Sequence, residues 1–233
     1  MCQTCPANYD DIDDCMMCWL QYYGINCQNS YSSSVVDPSN SSLSYYTIKI
    51  GSQVWMASNY KRRAGVSNAN VCYTPIETND QQICYRLQLG VFYSWAAIRE
   101  TNFCPTGWHM PSLAEMQALL RSITDYDAST QSVTTKNGIL SFIANTALWK
   151  DYPNQGKDMR GFRPVPAGYL VASGSDTRTN YGTAAYFWTS ESDPNDAAKA
   201  RVLVVRASAT TTKISIESLK KTSLASARCV KDY

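Results

Sequence analysis

The chain has 233 residues, a net charge of +2, 44% hydrophobic residues and 16 Tyr. This length and composition predict a globular chain with a sizeable core, made of one large domain and a small extension. The balanced charge gives no indication of a nucleic-acid or anionic-membrane partner, and no stretch approaches the roughly 20 apolar residues of a membrane-spanning helix.

The N-terminal part of the chain predicts a separate extension. Apolar side chains recur at three- and four-residue steps over residues 10–23, which indicates an amphipathic helix that ends at Gly24. Residues 28–45 are rich in Ser and Asn, and predict a linker or an ordered, loop-like crossing. We therefore place a Cys-rich helical extension and linker at 1–44 and the main domain at 45–233.

Two C-x-x-C units lie in this extension. Their cysteines are Cys2, Cys5, Cys15 and Cys18. Such units can present four thiolates to zinc, although the interval between them is shorter than the usual spacing of about 15–20 residues. The alternative is two disulfides that join the helix to the arm before it, which the one-turn spacing of Cys15 and Cys18 favours. Both interpretations stay open, and apart from this zinc we expect no cofactor.

The cysteine content also bears on the location of the protein. Nine cysteines favour an oxidising place, such as a cell surface, an extracellular space or a virion, although an intracellular metal protein is an alternative. Residues 1–5 lack the basic and apolar regions of a secretory signal. The sequence therefore leaves the compartment and the oligomeric state unassigned.

Local patterns predict three elements early in the main domain. Residues 45–56 indicate two short strands that turn at Gly51–Ser52. A helix is predicted over Val91–Glu100. A second helix begins after Ser112, because Ser112 and Glu115 form a capping box ahead of apolar residues at helical spacing.

The second half of the main domain predicts loops followed by strands. Residues 121–185 are rich in Gly, Asn, Asp and Thr, which is typical of loops around short strands. Apolar residues alternate over 200–205 and again at 214–216. This alternation predicts two strands, joined by a turn at 207–212.

Six ordered blocks over residues 45–233 resemble one known family. They are Thr47–Tyr60, Tyr93–Ala97, Cys104–Glu115, Gly161–Tyr169, Tyr186–Glu191 and Arg228–Asp232. On these blocks the chain resembles the Fibrobacter succinogenes major paralogous domain family. The first 44 residues lie outside the resemblance.

The resemblance implies a fold and one disulfide. The implied fold is of the α+β class: a C-type lectin-like domain in which two helices flank small twisted antiparallel sheets and the terminal strands lie together. In that fold Cys104 and Cys229 lie close enough for a structural disulfide. We predict a second disulfide between Cys72 and Cys84, which flank a short loop.

The resemblance also implies a function. Domains of this lectin-like type bind proteins or glycans on a loop-rich face, and some are variable proteins that retroelements diversify near the C-terminus. Here Leu224–Ala227 stands where members tend to have Gly-aromatic-Ser-Val, a departure that fits diversification or ordinary drift. We predict a non-enzymatic ligand-binding domain with a protein or glycan partner and a variable C-terminal surface. The alternative is a structural or attachment domain of a cell surface or virion.

The predicted binding surface combines the loop before Tyr186 with segments 193–225. The side chains expected to be exposed there are Arg178, Asn180, Tyr181, Asp193, Asn195, Lys199, Arg201, Arg206 and Lys220. Long cations and Tyr suit this role, because they supply reach and contact area.

Two motifs that point to other chemistry have simpler explanations. His109 is the single histidine, and no nucleophile–base arrangement can be assembled around its turn-like surroundings. Asp193, Asn195 and Asp196 offer oxygen ligands of the kind calcium prefers, but Asp-Pro-Asn-Asp is also an ordinary turn sequence. The Trp-Asn-Asp strand that completes lectin calcium sites is absent. We therefore expect no enzymatic activity and no calcium-dependent sugar binding.

Overall fold

The computed structural model describes part of the chain. The described residues are 31–37, 40–62, 69–71, 89–171 and 178–233. Three predictions lie outside them: the N-terminal helix, the Cys72–Cys84 disulfide, and the zinc or disulfide chemistry of the N-terminal cysteines. Those cysteines are Cys2, Cys5, Cys15 and Cys18.

Strands dominate the described residues. In chain order the strands are β1 (Tyr31–Asp37), β2 (Asn40–Ile50), β3 (Gln53–Met56), β4 (Ala69–Val71), β5 (Val91–Ser94), β6 (Trp108–His109), β7 (Ser132–Val133), β8 (Tyr169–Leu170), β9 (Arg178–Thr179), β10 (Ala184–Ser192), β11 (Lys199–Ala207), β12 (Thr212–Lys220), β13 (Leu224–Ser226) and β14 (Val230–Lys231). The α-helices are α1 (Leu113–Arg121) and α2 (Lys136–Phe142), and a 3-10 turn spans Ala97–Arg99.

The smaller sheet has the strand order β1-β2-β3-β14-β6, with antiparallel neighbours throughout. The predicted turn between β2 and β3 is confirmed, with Gly51 at φ 62°, a conformation that glycine adopts without strain. β14 lies between β3 and β6. The last strand of the chain therefore pairs with β3, close to the predicted start of the main domain.

The larger sheet has the order β4-β5-β13-β10-β11-β12-β7, and β8 and β9 extend it beside β13. β13 pairs parallel to β10, and the other pairs are antiparallel. The two strands predicted from alternation are confirmed as β11 and β12. Both faces of β11 are buried, because Val202 and Val204 lie in one core cluster while Leu203 and Val205 lie in another.

The predicted α+β class, a C-type lectin-like domain with two helices flanking small sheets, is wrong. In the described residues α1 and α2 have nine and seven residues, against sheets of five and nine strands. Both helices pack on the larger sheet and share one core cluster with Leu203 and Val205. The described part of the chain is therefore mostly β.

The two predicted helices of the main domain have opposite outcomes. The capping box of α1 is confirmed: the Ser112 side chain accepts from Glu115 N, and the Glu115 side chain accepts from Ser112 N. The helix predicted over Val91–Glu100 is wrong, because its first four residues form β5 and are all buried. β-branched and aromatic residues favour a strand in such a site. Ser94 then ends the strand, since its Oγ accepts from Ala97 N at 3.2 Å.

Residues 31–44, which the sequence indicated to be a linker or loop-like crossing, lie largely in the β1–β2 hairpin. Half-buried Val35 and Leu43 pack against the core cluster that contains Tyr45, and Thr47 Oγ1 donates to Ser33 O at 2.9 Å. The Ser-rich composition of this segment gave no indication that Val35 and Leu43 form an apolar face of the hairpin. The domain boundary placed at residue 45 stays a prediction.

Two long-range links fix the C-terminal strands to the core. Cys104 and Cys229 form a disulfide across 125 residues of sequence, which confirms the pair that the resemblance implied. Next to it, Arg228 is fully buried; it donates to Phe162 O and Asn59 Oδ1, and its guanidinium lies 4.2 Å from the centre of the Phe162 ring. These contacts satisfy a charge that is costly to bury without partners.

Candidate functional site

The nine side chains predicted to bind a ligand fall into two groups at opposite ends of β10, β11 and β12. We call the first group, with the residues that contact it, the tyrosine–arginine cluster: Tyr169, Arg178, Asn180, Tyr181, Tyr186, Arg206 and Glu217. We call the second the turn cluster: Asp193, Asn195, Asp196, Lys199, Arg201, Ser218 and Lys220. Lys199 and Arg206 are about 23 Å apart along β11, at roughly 3.3 Å per residue. A single surface was predicted, and the structure divides it.

Their exposure also differs from the prediction. Asn180, Asn195 and Lys220 are exposed. The other six are partly buried: Arg178, Tyr181, Asp193, Lys199, Arg201 and Arg206. These six side chains are therefore held by neighbours rather than projecting freely into solvent.

Tyr186 is the centre of the tyrosine–arginine cluster. Asn180 Nδ2 donates to its hydroxyl at 2.6 Å, the Tyr169 ring packs edge-on at 4.8 Å between centroids, and the Arg206 guanidinium lies 5.9 Å from its ring centre. Burial raises the pKa of Tyr186, and the Asn180 hydrogen bond and the charge of Arg206 only partly offset that effect. The phenol is therefore neutral at physiological pH.

Arg206 and Glu217 form an ion pair with two hydrogen bonds at one side of the cluster. Arg206 Nη2 donates to Glu217 Oε2 at 2.8 Å, and Nη1 donates to Oε1. Ser215 Oγ adds a donor to Glu217 at 3.0 Å. The hydrogen bond to Glu217 raises the pKa of Arg206. Burial alone would raise the pKa of Glu217, but the Arg206 contacts outweigh it and the pKa is lowered.

Arg178 lies between aromatic rings on the other side of the cluster. Its guanidinium is 5.1 Å from the Phe92 ring centre and 5.0 Å from that of Tyr181, within the range of cation–π attraction. Burial lowers the pKa of Arg178 to about 10, so the side chain stays charged at neutral pH. Two cations thus lie near the Tyr181 ring: Arg178, and Lys150 at 5.9 Å from the ring centre.

The backbone conformation next to the tyrosine–arginine cluster restricts which residues fit at Gly168 and Asn180. Gly168, just before β8, has φ 70°, and a Cβ there would lie 2.3 Å from Thr179 O. Asn180 has φ 59°, a left-handed conformation that Asn tolerates well, and its carbonyl accepts from Ala184 N at 3.0 Å. This tight connection between β9 and β10 presents Asn180 and Tyr181 beside Tyr186.

The turn cluster is built from local contacts between β10 and β11. Asp193 Oδ1 accepts from Asn195 N at 2.8 Å, and Oδ2 accepts from Ser218 Oγ and lies 3.8 Å from Arg201 Nη1. Asp196 follows the same pattern. Its Oδ1 accepts from the amide two residues on, and its Oδ2 pairs with Lys199 Nζ at 2.9 Å.

These contacts use all four carboxylate oxygens of Asp193 and Asp196. The two contacts from backbone amides, Asn195 N to Asp193 and Ala198 N to Asp196, are typical of Asx turns. Across the described ranges, no group of three or more His, Cys, Asp or Glu is placed to hold a metal ion. Arg201 Nη1 also donates to Ser218 at 3.1 Å, and Lys199 stands opposite exposed Lys220 in the β11–β12 register.

Sequence reasoning missed three members of the tyrosine–arginine cluster: Tyr169, Tyr186 as its centre, and Glu217. A signal for Glu217 exists. The β11–β12 register pairs Val202 with Glu217 and Val204 with Ser215, so Glu217 shares a face with Arg206. No local signal exists for Tyr169, because the bridge between Gly168 and Ala185 that brings it to Tyr186 joins two separate segments of the chain.

His109 forms a third polar site away from both clusters. Its ring nitrogens contact Asp232 and Glu115, whereas the Ser112 hydroxyl donates to Glu115 at 2.8 Å and not to His109. Ser112 is thus not activated by the histidine, as a nucleophile would be. In the described part of the chain, no helix is long and apolar enough to cross a membrane.

Comparisons with known proteins place the chain in a family. No curated protein and no solved structure matches it. Residues 48–231, well over half of the chain, match the Fibrobacter succinogenes major domain. The matched range contains both clusters, the disulfide and all of the strands from β3 to β14. The chain therefore belongs to the Fibrobacter succinogenes major domain family.

Proposed function

We propose that this domain is a non-enzymatic recognition module, and that the tyrosine–arginine cluster contacts a protein or glycan ligand. One observation carries the proposal. Four of the predicted binding residues, from two separate segments, lie in this cluster, where two of them contact Tyr186 and the guanidinium of a third lies against the ring of the fourth. They are Arg178, Asn180, Tyr181 and Arg206.

The physical chemistry of this arrangement favours binding. Tyr and Arg dominate the energetically important residues of interfaces, because they combine contact area with hydrogen bonding. Arg206 is held by Glu217 and Arg178 by two rings, so little side-chain entropy is lost when a ligand binds.

A binding experiment with matched variants tests the proposal. The purified wild-type domain is applied to a glycan array and to a panel of purified surface proteins, and any ligand found is titrated against N180A and Y181A. Each variant should lose at least about tenfold in affinity, or about 1.4 kcal/mol. The controls N195A and K220A change exposed residues of the turn cluster and should bind like wild type.

Two results count against the proposal. If N195A or K220A abolishes binding while Y181A does not, the turn cluster is the contact surface. If the folded wild-type domain binds nothing on either panel, a structural or attachment role replaces recognition.

The same proposal includes diversification of the C-terminal surface by a retroelement. The exposed turns 193–198 and 208–211 connect strands whose apolar side chains are buried, so substitutions there would leave the frame intact. Sequencing the 3′ end of the gene in sibling strains tests this. Substitutions should concentrate between Trp188 and Arg228 and spare buried Val202, Val204 and Ile214, and an even spread along the gene would exclude diversification.

A further inference from the structure

His109, the single histidine of the chain, lies between two carboxylates. Its Nδ1 is 2.6 Å from Asp232 Oδ1, and its Nε2 is 2.9 Å from Glu115 Oε1 and 3.1 Å from Oε2. An ionised carboxylate only accepts hydrogen bonds, so each ring nitrogen must donate. A neutral imidazole carries one N–H. Only the doubly protonated ring satisfies both contacts.

The bridge connects two elements that are far apart in sequence. Glu115 belongs to the first turn of α1, where its Oε2 also accepts from Ser112 N and Ser112 Oγ, both at 2.8 Å. Asp232 follows β14, and its backbone N donates to Gly107 O at 2.9 Å. His109 on β6 thus joins the start of α1 to the residues that follow β14.

The two carboxylates differ in how well water can replace the histidine. The Glu115 side chain is 14% exposed, whereas that of Asp232 is 53% exposed. Leaving a buried carboxylate without its donor costs more than leaving an exposed one. A neutral ring therefore keeps its proton on Nε2, toward Glu115. Its Nδ1 then directs a lone pair at the Asp232 carboxylate.

We propose that His109 is a protonation-controlled clamp on the segment 231–233. The protonated ring holds Glu115 and Asp232 together. The neutral ring keeps the contact with Glu115 and no longer holds the Asp232 carboxylate, so the hydrogen bond from Asp232 N to Gly107 O opens more readily. This role is independent of ligand binding at the tyrosine–arginine cluster.

The charged groups around the ring favour its protonated form. Glu115 faces it from α1 and Asp232 from the segment after β14. Glu191, at the end of β10, reaches the same helix start through Leu113 N at 3.0 Å. Lys231 pairs with Trp108 in the β6–β14 ladder while His109 pairs with Val230, so Lys231 lies on the opposite face.

The direction of the pH dependence follows from these groups. Partial burial lowers the pKa of His109, but the hydrogen bonds and charges of Asp232 and Glu115 outweigh it, and the pKa is raised above 6.5. A group whose pKa is raised by folding stabilises the folded state fully below its unfolded pKa. The clamp is thus closed below about pH 6.5, the ordinary histidine pKa, and opens as the pH rises through the folded value.

Nuclear magnetic resonance of the folded domain tests the clamp, because a single histidine gives unambiguous ring signals. Both ring ¹⁵N shifts are followed from acid to alkaline pH, together with hydrogen exchange of the Asp232 amide. We expect an imidazolium at pH 6, a pKa above 6.5, and loss of the proton from Nδ1. Above that pKa the Asp232 amide should exchange at least about tenfold faster, after correction for intrinsic rates, as local opening requires.

Variants separate the clamp from a purely structural histidine. D232N should lower the pKa of His109 and abolish the pH dependence of exchange at residue 232. K231A changes the adjacent charge on the other face and should leave the pKa nearly unchanged. Three results would each overturn the proposal. They are a wild-type His109 pKa at or below 6.5, a neutral ring that is protonated on Nδ1, and an exchange rate of the Asp232 amide that does not change as His109 titrates.

Discussion

The two ends of the β10–β12 strands are organised differently. At the tyrosine–arginine end, Tyr169, Asn180 and Arg206 contact Tyr186 from three separate segments, and Glu217 on β12 holds Arg206. At the turn end, Asp193 and Asp196 bond to their own loop and to the two strands beside it. The same three strands therefore support one site made by tertiary structure and another made by a turn.

The two ends should tolerate sequence change to different degrees. A cluster assembled from several segments depends on the whole sheet, since each member fixes the others. A turn whose backbone amides are hydrogen-bonded by side chains of the same turn depends on few residues. Its exposed side chains can therefore be replaced. We therefore expect substitutions to cost most in the shared middle of the strands, less in the tyrosine–arginine cluster and least in the turn cluster.

The largest effect is expected for Trp188→Ala. Trp188 is fully buried on β10 between the two ends, and its Nε1 donates to Tyr93 O at 2.8 Å. Removing a buried indole leaves a cavity and should lower the free energy of unfolding by about 4 kcal/mol. Urea unfolding followed by circular dichroism measures this. Trp188→Phe keeps an aromatic ring and should lower the free energy of unfolding by less. A loss below about 1 kcal/mol for Trp188→Ala would show that the two ends are supported separately.

An intermediate effect is expected for Arg206→Ala. The substitution leaves half-buried Glu217 without its two charged donors, and should cost about 2 kcal/mol in the free energy of unfolding. Glu217→Gln keeps an acceptor for one guanidinium N–H and should cost less. The matched control is Lys220→Ala at the turn end, which should be close to neutral. Equal losses for Arg206→Ala and Lys220→Ala would contradict the ranking of the two ends.

A smaller effect than that of Arg206→Ala is expected for Asp193→Ala, as a modest fall in Tm. Hydrogen bonds from Ser218 and the Asn195 backbone lower the pKa of Asp193. Its contribution is therefore present above the unfolded pKa of about 3.9 and is lost as the pH falls through the folded pKa. Melting curves of the two proteins should converge in strong acid and separate above pH 4. A constant difference in Tm across this range would assign the effect to something other than the carboxylate.

Features set by neighbouring residues could be predicted from sequence. The capping box of Ser112 and Glu115, the turn at Gly51 and the strand β11 are each encoded within a few positions, and the structure has all three. The Cys104–Cys229 disulfide followed from the family resemblance, because no local pattern connects residues 125 positions apart.

Features set by strand order could not be predicted in this way. Val91–Ser94 has a composition that suits either a buried helix or a buried strand, and pairing with β4 and β13 decides the outcome. Tyr169 meets Tyr186 because Gly168, just before β8, pairs directly with Ala185 on β10. Alternation shows which side chains share a face, but it does not show which strands become neighbours.

The position of β13 and β14 has a consequence for synthesis of the protein. β13 lies between β5 and β10 in one sheet, and β14 lies between β3 and β6 in the other. A nascent chain on the ribosome therefore cannot complete either sheet until residues 224–231 have emerged from the exit tunnel. Until then two half-built sheets with open strand edges are exposed, a state that chaperones recognise and that invites aggregation. A message truncated before codon 224 would yield a product with neither sheet closed.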